Sequence, residues 1–334
     1  MNRQVSRREW LLFAGGLASG QTNVTPADEL FIRSHFAEPR LLLSSWRLRV
    51  DGHVAHPLEL SFSDLLETSP TTQEAVLECA GNGTAGNGVG TGVWQGVSLA
   101  RLLRDAGADP SGQVLLEAYD EGQLLENGPR TPYVRIVPQS KCRAPESLLA
   151  YKRNGRFLPR RNGFPVRALF PGWYGMDSVK WLRRIVVLGR DETPPSYTES
   201  GMQQLYSRLR HGASPHRISA VQVKSMIAYP RNEAKLAAAA YQVTGYAWTG
   251  IGLIKQVDVS MDGGKVWSPA KLESASNQFA FFKWTYPWNA DPGEHVLLSR
   301  AQDSAGNIQP LARDPGRLDR YELNSCASVR CMVK

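Results

Sequence analysis

Six glycines fall within the twelve residues from Gly81 to Gly92, directly after the strand-like segment Ala75 to Ala80. Each glycine lowers helical stability by roughly 1 kcal/mol relative to alanine, so no helix runs through Gly86, Gly88, Gly90 and Gly92. Gly81-Asn82-Gly83-Thr84-Ala85-Gly86 spells G-x-G-x-x-G, but a dinucleotide turn must open a helix whose amides face a pyrophosphate. The next helical pattern, Ser98 to Ala106, starts too late, and Asp105 lies inside it instead of ending a second strand. The Gly-Lys-Ser/Thr of a Walker loop is also missing. The glycines are read as a loop whose backbone approaches something closely or turns with positive φ. Cys79 stands at the lip of that loop, where a strand over Ala75 to Ala80 ends.

A chain of 334 residues favours two domains with a sizeable core. Its 42% hydrophobic and 21% charged content argue against disorder. The net charge of +8 allows an anionic partner without choosing one. The basic residues are scattered and match no zinc-finger or helix-turn-helix spacing, which argues against nucleic acid. Ser6-Arg7-Arg8-Glu9-Trp10-Leu11-Leu12, followed by an apolar stretch to Ser19, resembles a twin-arginine export signal. Residues 1–20 are therefore expected to be a signal, and the mature protein to reach the periplasm already folded around a cofactor. The segment falls short of the roughly twenty apolar residues that span a bilayer, so no membrane span is expected. Cys79, Cys142, Cys326 and Cys331 share no C-x-x-C spacing. Cys326 and Cys331, five residues apart along one strand, would point to opposite faces, and isolated thiols are expected.

Trp46 to Leu60 reads as strands around the turn pair Asp51-Gly52. Ser98 to Gly107 has a serine cap, apolar positions at 99, 102, 103 and 106, and a glycine stop, which together predict a short helix. Short strands and helices alternate irregularly to about Leu188, a pattern of α+β type. A polar stretch from Gly189 to Pro215, with Pro194-Pro195 and Ser214-Pro215, marks the domain boundary. Beyond it, Tyr241 to Trp248, Ile254 to Met261, Phe279 to Tyr286 and Glu294 to Ala301 read as strands. Val257, Val259 and Met261 alternate with Asp258, Ser260 and Asp262, the period of a strand with one buried face. A β-sandwich is expected, with Trp248, Trp267, Trp284 and Trp288 as core and interface aromatics. The expected division is 25–195 and 215–334.

Two chemistries suit Cys79. A nucleophile needs a base, and the six histidines include none in a recognisable cysteine-hydrolase pattern. A soft thiolate suits a metal held mainly by a group other than protein, since no cluster of protein ligands surrounds it. Cys79-Ala80-Gly81-Asn82, followed by Val89-Gly90-Thr91-Gly92-Val93-Trp94-Gln95-Gly96-Val97, resembles the molybdenum-ligand loop of the sulfite oxidase family. Further blocks agree in order. Phe31-Ile32-Arg33-Ser34-His35 resembles the family's F-x-R-x-H pterin segment. Asn162-Gly163-Phe164-Pro165-Val166-Arg167, Pro171-Gly172-Trp173 and Ser178-Val179-Lys180-Trp181-Leu182 resemble its core signature. Gly245 to Gly250 with Val257 to Trp267, then Ser299 to Pro310, resemble its immunoglobulin-like dimerisation domain.

The resemblance implies an α+β molybdopterin domain followed by an all-β immunoglobulin-like sandwich. It implies a molybdopterin whose sulfurs bind molybdenum together with the thiolate of Cys79. Phe31, Arg33, Ser34, His35, Asp120, Asn162, Arg167, Ser178, Val179 and Lys180 match the family's cofactor contacts, although Asn162 stands where the animal enzymes carry a histidine. The implied reaction is oxygen-atom transfer by a molybdopterin-dependent oxidoreductase, with Cys79, Arg33 and Tyr206 at the reacting centre. In the animal enzymes two arginines follow C-A-G-N, whereas Gly83 and Thr84 follow here, so a main sulfite-binding cation is missing. Lys283 is a speculative substitute. Pro171 to Arg184 and Thr244 to Trp267 are most similar to the molybdenum subunit of bacterial sulfane dehydrogenases, and a small sulfur compound or oxyanion remains the expected substrate. Neither a cytochrome b-type domain before Phe31 nor a C-x-x-C-H motif is present, so a separate c-type cytochrome is the expected electron acceptor. A homodimer, or a heteromer with a cytochrome subunit, is expected. Reduction of a different S- or N-oxide, a cysteine hydrolase, and a cofactor-free immunoglobulin-like binding protein stay open as alternatives.

Overall fold

The structure is a computed structural model that describes residues 24–26 and 29–334; the expected export signal lies outside the described residues. Strand accounts for 42% of the chain and helix for 8%, so the helices decorate sheets and do not alternate with them. In the first domain Leu58–Leu60, Leu48–Gly52, Leu182–Leu188, Gln113–Gln123 and Arg130–Pro138 form one sheet in that spatial order. A second sheet runs Thr71–Glu78, Val89–Ser98, Leu148–Arg153 and Arg156–Phe157, with Arg167–Leu169 also paired to Leu148–Arg153. The expected helix spans Leu99–Asp105. Ser98 Oγ accepts from the amide of Arg101, and Leu99, Leu102 and Leu103 are buried. Gly107 ends it with φ +62°, a conformation that disfavours side chains.

The second domain is a sandwich. Lys224–Tyr229, Ala239–Trp248, Phe282–Ala290 and Lys271–Leu272 make one sheet, and Ala234–Leu236, Val329–Val333, Gly293–Asp303, Ile254–Ser260 and Ser268–Pro269 make the other. Val257 and Val259 face the core while Asp258 turns outward towards Arg300, but the expected alternation ends at Ser260, which is buried and donates its hydroxyl to Asp262 Oδ1. Trp284 lies fully buried across Gly245 on the neighbouring strand, and its indole donates to Ser225 Oγ. Trp248 and Trp288 are buried too, and Trp267 is half-buried. All four cysteines are free thiols. Cys331 lies on the Val329–Val333 strand, but Cys326 precedes it, so the two do not share a strand.

The polar stretch 189–215 packs onto the first domain, where Tyr197 and Met202 join the core. Val76, Ala80, Val89 and Tyr174 of the first domain form one apolar cluster with Ile218, Val221 and Trp248. Backbone bonds cross the same junction: Val76 N donates to Phe279 O, Val221 N to Gly172 O, and Glu322 N to Ala80 O. The end of the Cys79 strand is therefore enclosed by both domains. A methyl at position 245 would meet the Trp284 ring at 2.2 Å and Met226 O at 2.3 Å. Gly245→Ala should cost about 1–3 kcal/mol of stability through overpacking, read as a lower urea midpoint by tryptophan fluorescence.

Candidate active site

Thr71–Glu78 and Val89–Ser98 pair antiparallel, with Leu77 opposite Gly90 and Glu78 opposite Val89, so the loop 79–88 closes over the end of the ladder. Cys79 N donates to Gly88 O, and Asn82 N donates to Cys79 O. Asn82 is buried within its own loop and its Oδ1 accepts from Gly88 N at 2.9 Å. A Cβ at Gly86 would stand 2.3 Å from that oxygen, and one at Gly88 3.0 Å from it. The expected close approach is real, but it is to Asn82 of the same chain. None of the six glycines from Gly81 to Gly92 has positive φ. The thiol of Cys79 is largely buried, which raises its pKa, while the Gly81 amide and the Arg33 charge oppose the rise. Burial keeps the free thiol protonated, and coordination of a metal would remove its proton.

Cys79 opens into a cavity of about 160 Å³. Phe31, Arg33, Ser34, His35, Asp120, Asn162, Arg167, Ser178, Val179, Lys180 and Tyr206 all line it, so residues from five separate segments converge with Cys79. Arg160–Asn162 form a 3-10 turn that Gly163 ends with φ +107°. A Cβ at Gly163 would lie 3.1 Å from the Cβ atoms of both Arg167 and Lys180, so glycine there lets the two cationic side chains leave the backbone side by side. Arg167 is buried and donates to the carbonyls of Asn162 (3.1 Å) and Ser178 (2.8 Å). Lys180 Nζ donates to Ser34 Oγ at 2.6 Å and to Arg161 O at 3.0 Å. Among the described residues no carboxylate forms an ion pair with either. Burial and the neighbouring Arg153 charge push Arg167 down to about 9. Burial and the Arg167 charge push Lys180 down to about 7, against the pull of Asp120. Asp120 itself is pushed up to about 6 by burial, and burial lowers His35.

Arg167 and Lys180 face the cavity with no carboxylate ion-paired to either, although Asp120 shares the lining, and this fits an anionic ligand such as a phosphate group. A thiol at the other end of the cavity fits a soft metal. The donor set therefore suits a phosphorylated pterin cofactor carrying molybdenum. Among the described residues no cluster of three metal-ligating side chains occurs.

Tyr206 takes φ +61° and stands edge-on to Tyr321, with ring centroids 5.3 Å apart. Burial pushes its hydroxyl up to about 12, and that hydroxyl hydrogen-bonds to Tyr133. The segment bearing it rests on Arg135, which is fully buried, bonds Asp177 Oδ1 at 2.9 Å and donates to the carbonyls of Met202 and Leu205. Tyr133 and Arg161 also line the cavity. Sequence reasoning missed both: Tyr133 reads as an ordinary strand aromatic, and Arg161 is one of many scattered arginines. The Asn162 match, one residue on, was the only signal for Arg161. Lys283 corrects an expectation. It pairs with Glu273 at 3.2 Å in the second domain and does not line the cavity.

Residues 35–196 match the oxidoreductase molybdopterin binding domain, and residues 216–315 match the Mo-co oxidoreductase dimerisation domain. Chicken (Gallus gallus) sulfite oxidase is 32% identical over 86% of this chain and 68% of its own length. An NADH nitrate reductase of Brassica napus is 29% identical over 86% of this chain, which spans only 36% of that larger protein. The crystal structure of the sulfane dehydrogenase SoxCD from Paracoccus pantotrophus superposes with a TM-score of 0.80 at 29% identity, covering 93% of this chain and 81% of that one. With the thiol and the cation cluster in one cavity beside a sandwich domain, the chain belongs to the sulfite oxidase family of molybdopterin-dependent oxidoreductases.

Proposed function

We propose that this enzyme works in the periplasm, oxidises a sulfur compound, either sulfite or a sulfane-type sulfur, and passes the electrons to a separate c-type cytochrome. The observation that carries the reading is the convergence of the Cys79 thiol with Arg33, Arg167 and Lys180 in one cavity. The bound cofactor supplies oxygen-atom transfer and two-electron redox chemistry. Cys79 holds the metal. Arg167, Lys180 and His35, with Ser34, Asn162 and the Ser178-Val179 backbone, hold the pterin and its phosphate. Phe31 packs beside them and Asp120 faces Lys180. Tyr206, kept neutral by burial, offers a hydroxyl donor to a substrate or product oxygen, and Arg33 supplies positive charge near the thiol.

The substrate end has Arg33 beside the thiol but is short of further free cations. Gly83 and Thr84 bring none, Arg208 is paired with Glu322 at 2.7 Å, and Arg317 is paired with Asp319 at 2.7 Å. That shortage, with the likeness to a sulfane dehydrogenase, supports a sulfur substrate of low charge over a dianion. The twin-arginine pattern supports export, and among the described residues no helix is long and apolar enough to cross a membrane. The dimerisation domain supports a homodimer or a heteromer with a cytochrome subunit. The likeness to nitrate reductase favours a second reading, reduction of an N- or S-oxide. Turnover with sulfite and protein-bound sulfane using an oxidised artificial carrier, and with nitrate and sulfoxides using a reduced one, separates the readings. Lack of molybdenum and pterin in protein made in a cofactor-competent host would overturn both.

Cys79→Ser should reduce turnover to background while circular dichroism stays unchanged; undiminished activity would refute metal ligation. The second prediction concerns Lys180 in cofactor-free protein. Its folded value of about 7 lies below the ordinary 10.5, so over that interval the unfolded chain binds more protons and the empty protein gains stability as pH rises. An anion bound at Lys180 restores its charge, so binding takes up a proton. Pyrophosphate affinity should fall between pH 7.5 and 9 by up to about tenfold per pH unit, and Lys180→Gln should flatten that slope in titration calorimetry.

A further inference from the structure

Glu78 precedes the thiol and has no exposed surface. Its Oε1 accepts from Lys224 Nζ at 2.5 Å and from Asn82 Nδ2 at 2.9 Å, and its Oε2 accepts from Trp248 Nε1 at 2.7 Å. Two of those three donors belong to the second domain. Lys224 and Trp248 are directly opposed on the paired strands Lys224–Tyr229 and Ala239–Trp248, so their side chains leave the same face of that sheet. The Lys224 ammonium also lies 5.8 Å from the centre of the Trp248 ring. On the other side Asn82 passes the connection on, because its Oδ1 accepts from Gly88 N while Cys79 N donates to Gly88 O. The main-chain oxygen of Glu78 is fixed as well, by Gly175 N at 2.7 Å, and Gly175 lines the cavity. A continuous set of hydrogen bonds therefore runs from the second domain to both ends of the Cys79 loop.

We propose that Lys224 and Trp248 are positioning residues for the reaction: by gripping the Glu78 carboxylate they set where the Cys79 sulfur stands over the cavity. The second domain, matched by family as a dimerisation unit, thereby takes part in placing the metal ligand. A carboxylate is required because all three partners are donors; a glutamine at position 78 would turn an amide N–H towards one of them. The inference rests on the reading of Cys79 as the metal ligand.

The test uses holoenzyme of the parent, Trp248→Phe, Glu78→Gln and the double variant Glu78→Gln with Lys224→Met. Molybdenum content, the thiolate-to-metal charge-transfer band of the oxidised enzyme, kcat, KM and melting temperature are measured on each. Trp248→Phe keeps the apolar body and removes one donor, and the double variant leaves no lone charge buried. The expected result is metal-loaded variants with a displaced charge-transfer band and kcat lowered about ten- to a hundredfold at nearly constant KM, as for a displaced reacting group. Metal-loaded variants with the parental band and kcat, and only a lower melting temperature, would overturn the positioning role. If Glu78→Gln alone does not fold, the double variant and Trp248→Phe give the same two outcomes. Absence of molybdenum from the parent would instead overturn the assignment of Cys79, and with it this role.

Discussion

The Glu78 carboxylate is the constraint on which the rest of the site depends. A carboxylate taken fully out of water is tolerated only when its lone pairs are satisfied and its charge is compensated. Here three donors do so, one of them the buried ammonium of Lys224. Removing one partner of such a pair typically costs about 3–5 kcal/mol, because the other charge is left stranded. The pair therefore penalises any arrangement that separates the two domains or slips the Thr71–Glu78 strand by a residue. A one-residue slip would turn Glu78 to the opposite face and Cys79 with it. Domain docking, strand register and thiol position are thus set by one interaction.

The cavity beside it is divided electrostatically. At one end Arg167 and Lys180 have backbone carbonyls, a hydroxyl and the nearby Asp120 for company but no ion-paired carboxylate among the described residues, and both are held below their ordinary values. Near the thiol Arg33 adds positive charge, but the arginines around it are paired. Arg208 and Arg317 are matched by Glu322 and Asp319, and the aromatic pair Tyr206 and Tyr321 presents neutral surface. A ligand with an anionic tail and a metal-bearing head satisfies both ends in one orientation only. The cost of keeping two cations dehydrated in the empty site is offset when the phosphate arrives, which couples cofactor binding to stability.

Much of this was legible in the sequence, for physical reasons that differ by element. The Leu99–Asp105 helix and the Ile254–Ser260 strand are set by local periodicity and caps, which a linear reading captures. The cavity lining came from ordered motif blocks, each short enough to carry its own geometry. Chemistry made by distant pairings was missed. Nothing local marks Tyr133, Arg135 or Lys224, whose roles depend on partners 42 to 146 residues away. Lys283 shows the converse error, because a free cation in sequence becomes a paired one once Glu273 folds beside it.

The glycine run joins both lessons. Its composition correctly excluded a helix and a nucleotide turn, yet the loop needs glycine mainly because Asn82 folds back into it, with Gly86 and Gly88 making room. Asn82 in turn is held by Glu78. Within Glu78-Cys79-Ala80-Gly81-Asn82, the first and last residues form a brace, Ala80 is buried under the shared cluster, and a Cβ at Gly81 would touch the Cys79 sulfur and the Tyr321 ring at 4.0 Å. Cys79 is thus the one polar side chain of the five left for a ligand, and the neighbours that look like spacers are what keep it there.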